Sequence, residues 1–245
     1  MLKPDFTAAP VPSRRAFLTG AAAGAVLIAF RLDLKGARAA EGSDALSKAP
    51  AQPNAFVRIA ADDTVTVMIK HLDMGQGNTT GLATILADEL DADWGQMRVA
   101  FAPADARLYA NLLMGPVQGT GGSTAIANSW FQLRKAGAAA RAMLVAAAAD
   151  KWGVPASEIT VAKGVISHKS GKQARFGEFA EAAAAKPVPQ EPRLKTPAEW
   201  TLIGQRVPRI DSVAKTDGTA IYSSTSAAPA KSRRWSPTRP ASAPR

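Results

Sequence analysis

The sequence predicts an α+β fold, with short-stranded sheets and packed helices lying between two ends that build no core. Three observations lead there. Two glycine-rich stretches, "HLDMGQGNTTG" (His71 to Gly81) and "QGTGGSTAIANSW" (Gln118 to Trp130), each run through hydroxyl residues into a helical pattern. Short β-rich runs precede and follow them. The first 39 and last 23 residues differ in composition from everything between.

The chain opens on "PSRRAFLTGAAAGAVLIAF", an Arg14–Arg15 pair followed by an apolar run from Ala16 to Phe30. The run is short for a membrane span and rich in Ala and Gly. Ser-Arg-Arg-x-Phe-Leu looks like a twin-arginine export signal, and Ala37-x-Ala39 fits cleavage before Ala40. The expectation is a periplasmic protein handled by the twin-arginine machinery, with an uncleaved membrane anchor as the alternative. Residues 40–54 read as a linker.

Residues 55–185 read as the α+β domain. Phe56 to Ala61 and Val65 to Lys70 are β-rich with Asp62-Asp63 between them, which predicts a hairpin. Leu82, Ile85, Leu86 and Leu90 then share one helical face, with Asn78 or Thr79 as the expected cap. Met97 to Phe101 reads as a strand and Ala102 to Gly122 as a long loop. A long alanine-rich helix follows, and Gly137 within it allows a close approach to another element. Two or three short strands come next, turning at Lys163-Gly164 and Ser170-Gly171, then a short helix over 177–185. Residues 186–222 are proline-rich and extended, a segment that crosses a surface or leads into a further domain. Residues 223–245, "SSTSAAPAKSRRWSPTRPASAPR", read as a disordered basic tail or as out-of-frame translation of GC-rich DNA.

The net charge of +10 invites a nucleic-acid reading, but it sits at the ends. Residues 1–39 carry +4 and 223–245 carry +5, leaving +1 for the rest. No basic face with interleaved aromatics remains for nucleic acid. The chain has no cysteine, so it holds no iron–sulfur cluster or Cys-ligated zinc. With only His71 and His168, no metal ligand set is assigned, and both histidines read as surface or packed groups. Asp, His and Ser occur at no spacing that suggests a hydrolytic triad.

The two loops share one design. Glycine permits positive φ and close backbone approach, so N–H groups can converge on one concavity. A helix N-terminus adds donors and the positive end of the dipole. Such loops suit phosphates or the amide-like edge of a heterocycle, and two of them could hold both ends of a dinucleotide-like ligand. Neither spacing fits G-x-G-x-x-G or the phosphate-binding loop of NTPases. On the residues alone, structural turn and ligand site both stay open.

A resemblance narrows the choice. "MGQGNTT" (Met74 to Thr80), "LADELDADW" (Leu86 to Trp94), "GTGGST" (Gly119 to Thr124) and "IGQRVPRIDSVAKTDGTAIY" (Ile203 to Tyr222) carry it. The run from about residue 54 to 222 resembles the N-terminal part of the large (beta) subunit of molybdenum hydroxylases of the isoquinoline 1-oxidoreductase type. These belong to the xanthine dehydrogenase and aldehyde oxidase superfamily. The resemblance implies a molybdopterin-binding-domain-like fold, truncated relative to the family. It also implies a molybdenum cofactor in its molybdopterin cytosine dinucleotide form. By the same resemblance, Gly75, Gln76 and Gly77, with Thr80 nearby, approach the pterin, Gln76 reading its edge. Thr120, Gly121, Gly122, Ser123 and Thr124 help hold the dinucleotide's phosphates.

The family's catalytic glutamate lies in a later region and matches no residue here, so no catalytic residue is assigned. Glu89 and Glu178 read as solvated helix charges, Asp73 as a loop cap, and Trp94, Trp130 and Trp152 as packing residues. The resemblance further implies hydroxylation of an N-heterocycle or oxidation of an aldehyde, with oxygen from water, and a small-molecule substrate. A small [2Fe–2S] subunit is the implied electron-transfer partner, and this chain alone is expected to be inactive. The reading from a different class is a non-catalytic exported binding or assembly module.

Overall fold

A computed structural model describes residues 53–220. The Arg14–Arg15 signal and the Ser/Pro/Arg tail lie outside the described residues. The described part is α+β, as expected. After a one-turn helix α1 (Pro53–Phe56), β1 (Val57–Ile59) and β2 (Val65–Ile69) form the predicted antiparallel hairpin. Its turn places Asp63 at φ 69°, and the Thr64 N–H donates to Asp62 Oδ1 at 3.0 Å.

The first glycine loop follows, then helix α2 (Asn78–Leu90), then β3 (Met97–Phe101), which pairs with β2 in parallel. A parallel neighbour requires such a crossover. The long loop after β3 holds one short helix, α3 (Ala106–Tyr109), whose Tyr109 hydroxyl donates to the Ala55 carbonyl at 2.9 Å. The second glycine loop leads into α4 (Ala125–Trp152). A separate meander, β4 (Ile159–Ala162), β5 (Val165–His168) and β6 (Gln173–Arg175), turns at the two predicted glycine dipeptides. The expected helix over 177–185 is a 3-10 turn (Phe176–Glu178) and then α5 (Ala180–Ala184). Residues 211–220 fall in a second unit that holds α6 (Ser212–Thr216).

The core is the packing of α2 on α4 and of both on the first sheet. Near its start, Gly81 of α2 lies against Ile126 of α4; further along, Gly137 of α4 lies against Leu86 and Glu89 of α2. The two helices therefore run in the same direction. A Cβ on Gly137 would sit 2.6 Å from the Leu86 carbonyl oxygen, closer than any Cβ tolerates, and 3.0 Å from Glu89 Cβ, which is tight. The close approach read from the sequence is this contact.

The extended segment does more than cross a surface. Asp88 is fully buried and accepts the N–H groups of Leu202 and Ile203 at 2.9 and 2.7 Å, while Lys195 Nζ approaches it at 3.1 Å. Lys195 also pairs with Asp91 at 2.6 Å, and Asp91 with Arg141 at 2.7 Å. Glu89 corrects the solvated reading: it is fully buried, paired with Arg134 at 2.6 Å, and accepts the Lys195 N–H at 3.0 Å. Glu178 is exposed, as read. Arg134 in turn lies over the rings of Trp130 and Trp200 at 5.2 and 5.6 Å, a cation–π arrangement. The segment over 186–210 is thus a strap bound to the end of α2 by buried charge.

Gly137→Ala should destabilise the fold by about 2 kcal/mol, since the clash is with backbone that cannot rotate away. The check is the midpoint of urea denaturation, with the slope unchanged; an unshifted midpoint would show that the helices are not in contact at this point.

Candidate functional site

The fold brings the two glycine loops together, because α2 and α4 run in the same direction and each loop precedes one of them. Between them lies a cleft of about 560 Å³, lined by Met74, Gln76 and Asn78 on one side and by Thr120, Gly121, Ser123, Thr124, Ala125 and Ile126 on the other. Among the described residues no carboxylate lines it. The loops are also joined directly: the Leu72 N–H donates to Thr120 Oγ1 at 2.9 Å.

The first loop is closed by its own side chains. Gly75 and Gly77 sit at φ 106° and 91°, which only glycine adopts without strain. Asp73 corrects the cap expected at Asn78 or Thr79 and bears out its own reading as a loop cap. Its Oδ1 accepts from the Gly75 N–H at 2.8 Å and its Oδ2 from the Thr79 N–H at 2.9 Å, so the carboxylate sits on the α2 N-terminus. Burial pushes the Asp73 carboxyl up, but these N–H groups, with that of Gly77, outweigh it and hold the group below its ordinary range. Gln76 accepts from the Met74 N–H at 2.5 Å and donates to the Leu72 carbonyl at 2.9 Å, so its amide is oriented by its own loop. Asn78 Nδ2 donates to the same carbonyl at 3.1 Å.

Thr80 and Gly77 face elsewhere. They line a second hollow of about 390 Å³ with Trp130 and the strap residues Leu202 to Arg209. Thr80 Oγ1 accepts from the Ile210 N–H at 3.2 Å, and Arg209 donates to the Gly75 carbonyl at 2.9 Å. The strap thereby also holds the back of the first loop. Gly75 and Gly122 shape their turns without lining the cleft.

The second loop is open. Gly122 and Ser123 both lie in the left-handed region, at φ 57° and 55°. Thr124, at the N-cap of α4, does not cap the helix; its hydroxyl donates to the Gly121 carbonyl at 2.8 Å and accepts from Asn111 Nδ2 at 2.7 Å. The first residues of α4 therefore face the cleft with no carboxylate on them.

Beneath this loop lies a polar group that no motif marks. Asn128 is buried in α4, and its Oδ1 accepts from the Leu112 N–H at 2.7 Å. A backbone N–H can only donate, so the amide nitrogen of Asn128 faces His71 Nε2, 2.8 Å away. Donation there makes His71 neutral with its proton on Nδ1, directed to the Gly119 carbonyl and 3.4 Å from Thr120 Oγ1. His71 is a buried packed group, as read, but one that positions the second loop. Burial, then the charge of Lys70 beside it, lowers its pKa to about 4. No sequence signal distinguishes Asn128 from other polar helix residues, because its partners are 57 and 16 positions away.

The unfolded chain binds a proton at His71 below its ordinary pKa of 6.5, whereas the folded chain resists it down to about 4. Stability should fall by about 3 kcal/mol as pH drops through that window. Denaturation midpoints at pH 7, 5.5 and 4 for wild type and His71→Gln check this; an identical acid slope in the two proteins would contradict it.

A family model described as molybdopterin cofactor-binding domain matches residues 34–228. The beta subunit of isoquinoline 1-oxidoreductase from Brevundimonas diminuta is 33% identical over 86% of this chain and 31% of its own length. The membrane-bound aldehyde dehydrogenase (pyrroloquinoline-quinone) of Gluconacetobacter polyoxogenes is 36% identical over 70% of this chain and 22% of its own. The chain thus spans about a third or less of these relatives. Among solved structures, quinoline 2-oxidoreductase from Pseudomonas putida 86 aligns with a TM-score of 0.39 and 22% identity, over 54% of this chain and 16% of that one. With the family model covering both glycine loops and the strap, the chain belongs to the molybdopterin cofactor-binding domain family.

Proposed function

We propose that this chain forms part of the large subunit of an exported, molybdenum-cofactor-dependent oxidoreductase. On this reading the cofactor is the cytosine dinucleotide form. The complete enzyme hydroxylates an N-heterocycle or oxidises an aldehyde, and a small [2Fe–2S] subunit takes the electrons. The observation that carries the cofactor assignment is the carboxylate-free cleft between the two glycine loops. Its residues fit such a group. Gln76 and Asn78 offer amides to a heterocycle edge, while Thr120, Ser123 and the start of α4 offer donors to phosphates. Bound there, the cofactor supplies molybdenum-centred oxidation of a carbon with oxygen from water.

This chain's own residues bind and orient. The Asp73 cap keeps the first loop neutral towards the ligand, and the Thr120 to Leu72 bond fixes the distance between loops. No residue here is assigned as the base, and the isolated chain is expected to give no substrate-dependent dye reduction. Large exposed apolar side chains support completion of the site by further polypeptide. Among the described residues all of them but Val213 fall between Leu72 and Ile126; Met74 and Ile126 line the cleft itself, and Leu72 and Phe101 line the smaller hollow next to it. A non-catalytic binding or assembly module shares this geometry and differs in having no further polypeptide to complete the cleft.

Gly121 separates a structural loop from a ligand site. Its backbone needs no left-handed conformation, and a Cβ there meets no protein atom within 4 Å. Gly121→Ala should therefore match wild type in thermal stability yet retain several-fold less cofactor, measured as fluorescence of the released oxidised pterin and as released CMP. Equal retention would remove the cleft as the cofactor's place. The export part of the reading stands on Arg14 and Arg15, and replacing both with lysine should leave the protein in the cytoplasm. Fractionation showing unchanged export would remove it.

A further inference from the structure

Among the described residues Lys70 is the one buried lysine or arginine with no carboxylate partner. It directly follows β2 at 8% exposure, next to His71. Its ammonium donates to the Ala110 carbonyl at 2.9 Å, to Asn128 Oδ1 at 3.3 Å and to Gln132 Oε1. All three acceptors are neutral. The other groups that face it are the neutral His71 imidazole and, through Asn128, the Leu112 backbone. At the strap end every buried lysine and arginine among the described residues has a carboxylate: Arg134 has Glu89, Lys135 has Glu191, and Lys195 has Asp88 and Asp91. Lys70 has none among the described residues.

An ammonium out of water without an anion is costly, and a protein normally either pairs it or replaces it with an apolar group. Here the three acceptors hold the nitrogen as an ammonium, while burial alone lowers its pKa to about 7. Lys70 lines a hollow of about 250 Å³ together with His71, Phe101, Gln118, Gly119 and Thr120, and among the described residues no acid lines it. Thr120 lines both this hollow and the main cleft, so the two meet at the second glycine loop. The second loop is also the one whose helix start carries no carboxylate of its own.

We propose that Lys70 is the buried counter-charge of an anion site at the second glycine loop, which takes a phosphate or phosphoanhydride group. It acts through its field, not by direct contact, because its three N–H groups are already engaged. The proposal rests on the cofactor reading for the physiological source of the anion. The charge and its site do not depend on it. Binding of the anion favours the charged lysine and so draws a proton onto Nζ above neutral pH.

The test uses isothermal titration calorimetry of the full chain with inorganic pyrophosphate, CDP and neutral cytidine, comparing wild type with Lys70→Met and Lys70→Gln. Methionine preserves the packing, and glutamine preserves polar contacts without the charge. Both variants should weaken pyrophosphate and CDP about tenfold and leave any cytidine binding unchanged. At pH 8, wild-type heats should vary with the ionisation enthalpy of the buffer, reporting proton uptake, and the variants' heats should not. Lys70→Met should be at least as stable as wild type at pH 7, the reverse of what a purely structural lysine would give. The folded pKa lies below the unfolded value of 10.5, so the unfolded chain binds the extra proton between pH 7 and 10.5. Wild-type stability should therefore rise relative to Lys70→Met over that window.

Pyrophosphate binding that is absent in wild type, or equal in wild type and Lys70→Gln, overturns the proposal. If pyrophosphate and CDP bind in a Lys70-dependent way but no pterin is retained, the cofactor reading fails and the anion site stands. If pterin is retained equally by wild type and Lys70→Gln and pyrophosphate affinity is unchanged, only the role of Lys70 fails.

Discussion

The co-directional packing of α2 on α4 is the constraint from which the rest follows. Gly81 against Ile126 and Gly137 against Leu86 fix the two helices side by side with their N-termini at one end. Their two N-termini bring like ends of the helix dipoles together, which is unfavourable unless each meets opposite charge. At the N-terminal end, Asp73 answers α2. At the C-terminal end of α2, Asp88, Glu89 and Asp91 sit where its dipole is already negative. Arg134 and Arg141 from α4 and Lys195 from the strap offset both the carboxylates and the helix end. The strap is thus an electrostatic requirement of this helix pair as well as a cover for it.

This arrangement explains what the sequence reveals and what it hides. The apolar face of α2, the hairpin around Asp62-Asp63, the meander turns and the close approach at Gly137 are all encoded within a few residues of where they act. They are legible for that reason. Glu89 is not. Its spacing of seven from Leu82 and four from Ile85 puts it on the apolar face of α2, but nothing nearby in sequence shows what would pair a charge there. In this fold eleven of the thirteen α2 residues are buried, with Arg134 of α4 on Glu89 and the strap over Asp88 and Glu89. The covering residues lie over 100 positions away, in a proline-rich stretch with no period to betray a partner.

The candidate site divides in the same way. Glycine, hydroxyl and helix start are local signals, and Gln76, Thr120, Gly121, Ser123 and Thr124 do line one cleft. Their equivalence in sequence, however, conceals an asymmetry. Asp73, only two residues before Gly75, folds back onto the α2 N-terminus and neutralises it, while Thr124 turns its hydroxyl to Gly121 and leaves α4 open. Two loops of one design therefore have different chemistry: one suited to a neutral polar edge, the other to an anion. The distinction depends on which way two short side chains rotate, and spacing carries no record of that.

Charge compensation is complete at the strap end and incomplete at the loop end. A fold selected only for stability would have little reason to keep Lys70 where it is. An apolar residue would fill the same volume without the desolvation cost, and α4 already supplies the packing around it. Keeping a buried ammonium on neutral acceptors, near a helix start with no side-chain cap, gives the second loop a positive potential. A bound anion cancels it. Its charge would be compensated by groups already in place, with no rearrangement of the loops, because the Asn128–His71 pair and the Thr120–Leu72 bond hold them in position before any ligand arrives. Stability given up at Lys70 and affinity gained at the loop are then two sides of one electrostatic term.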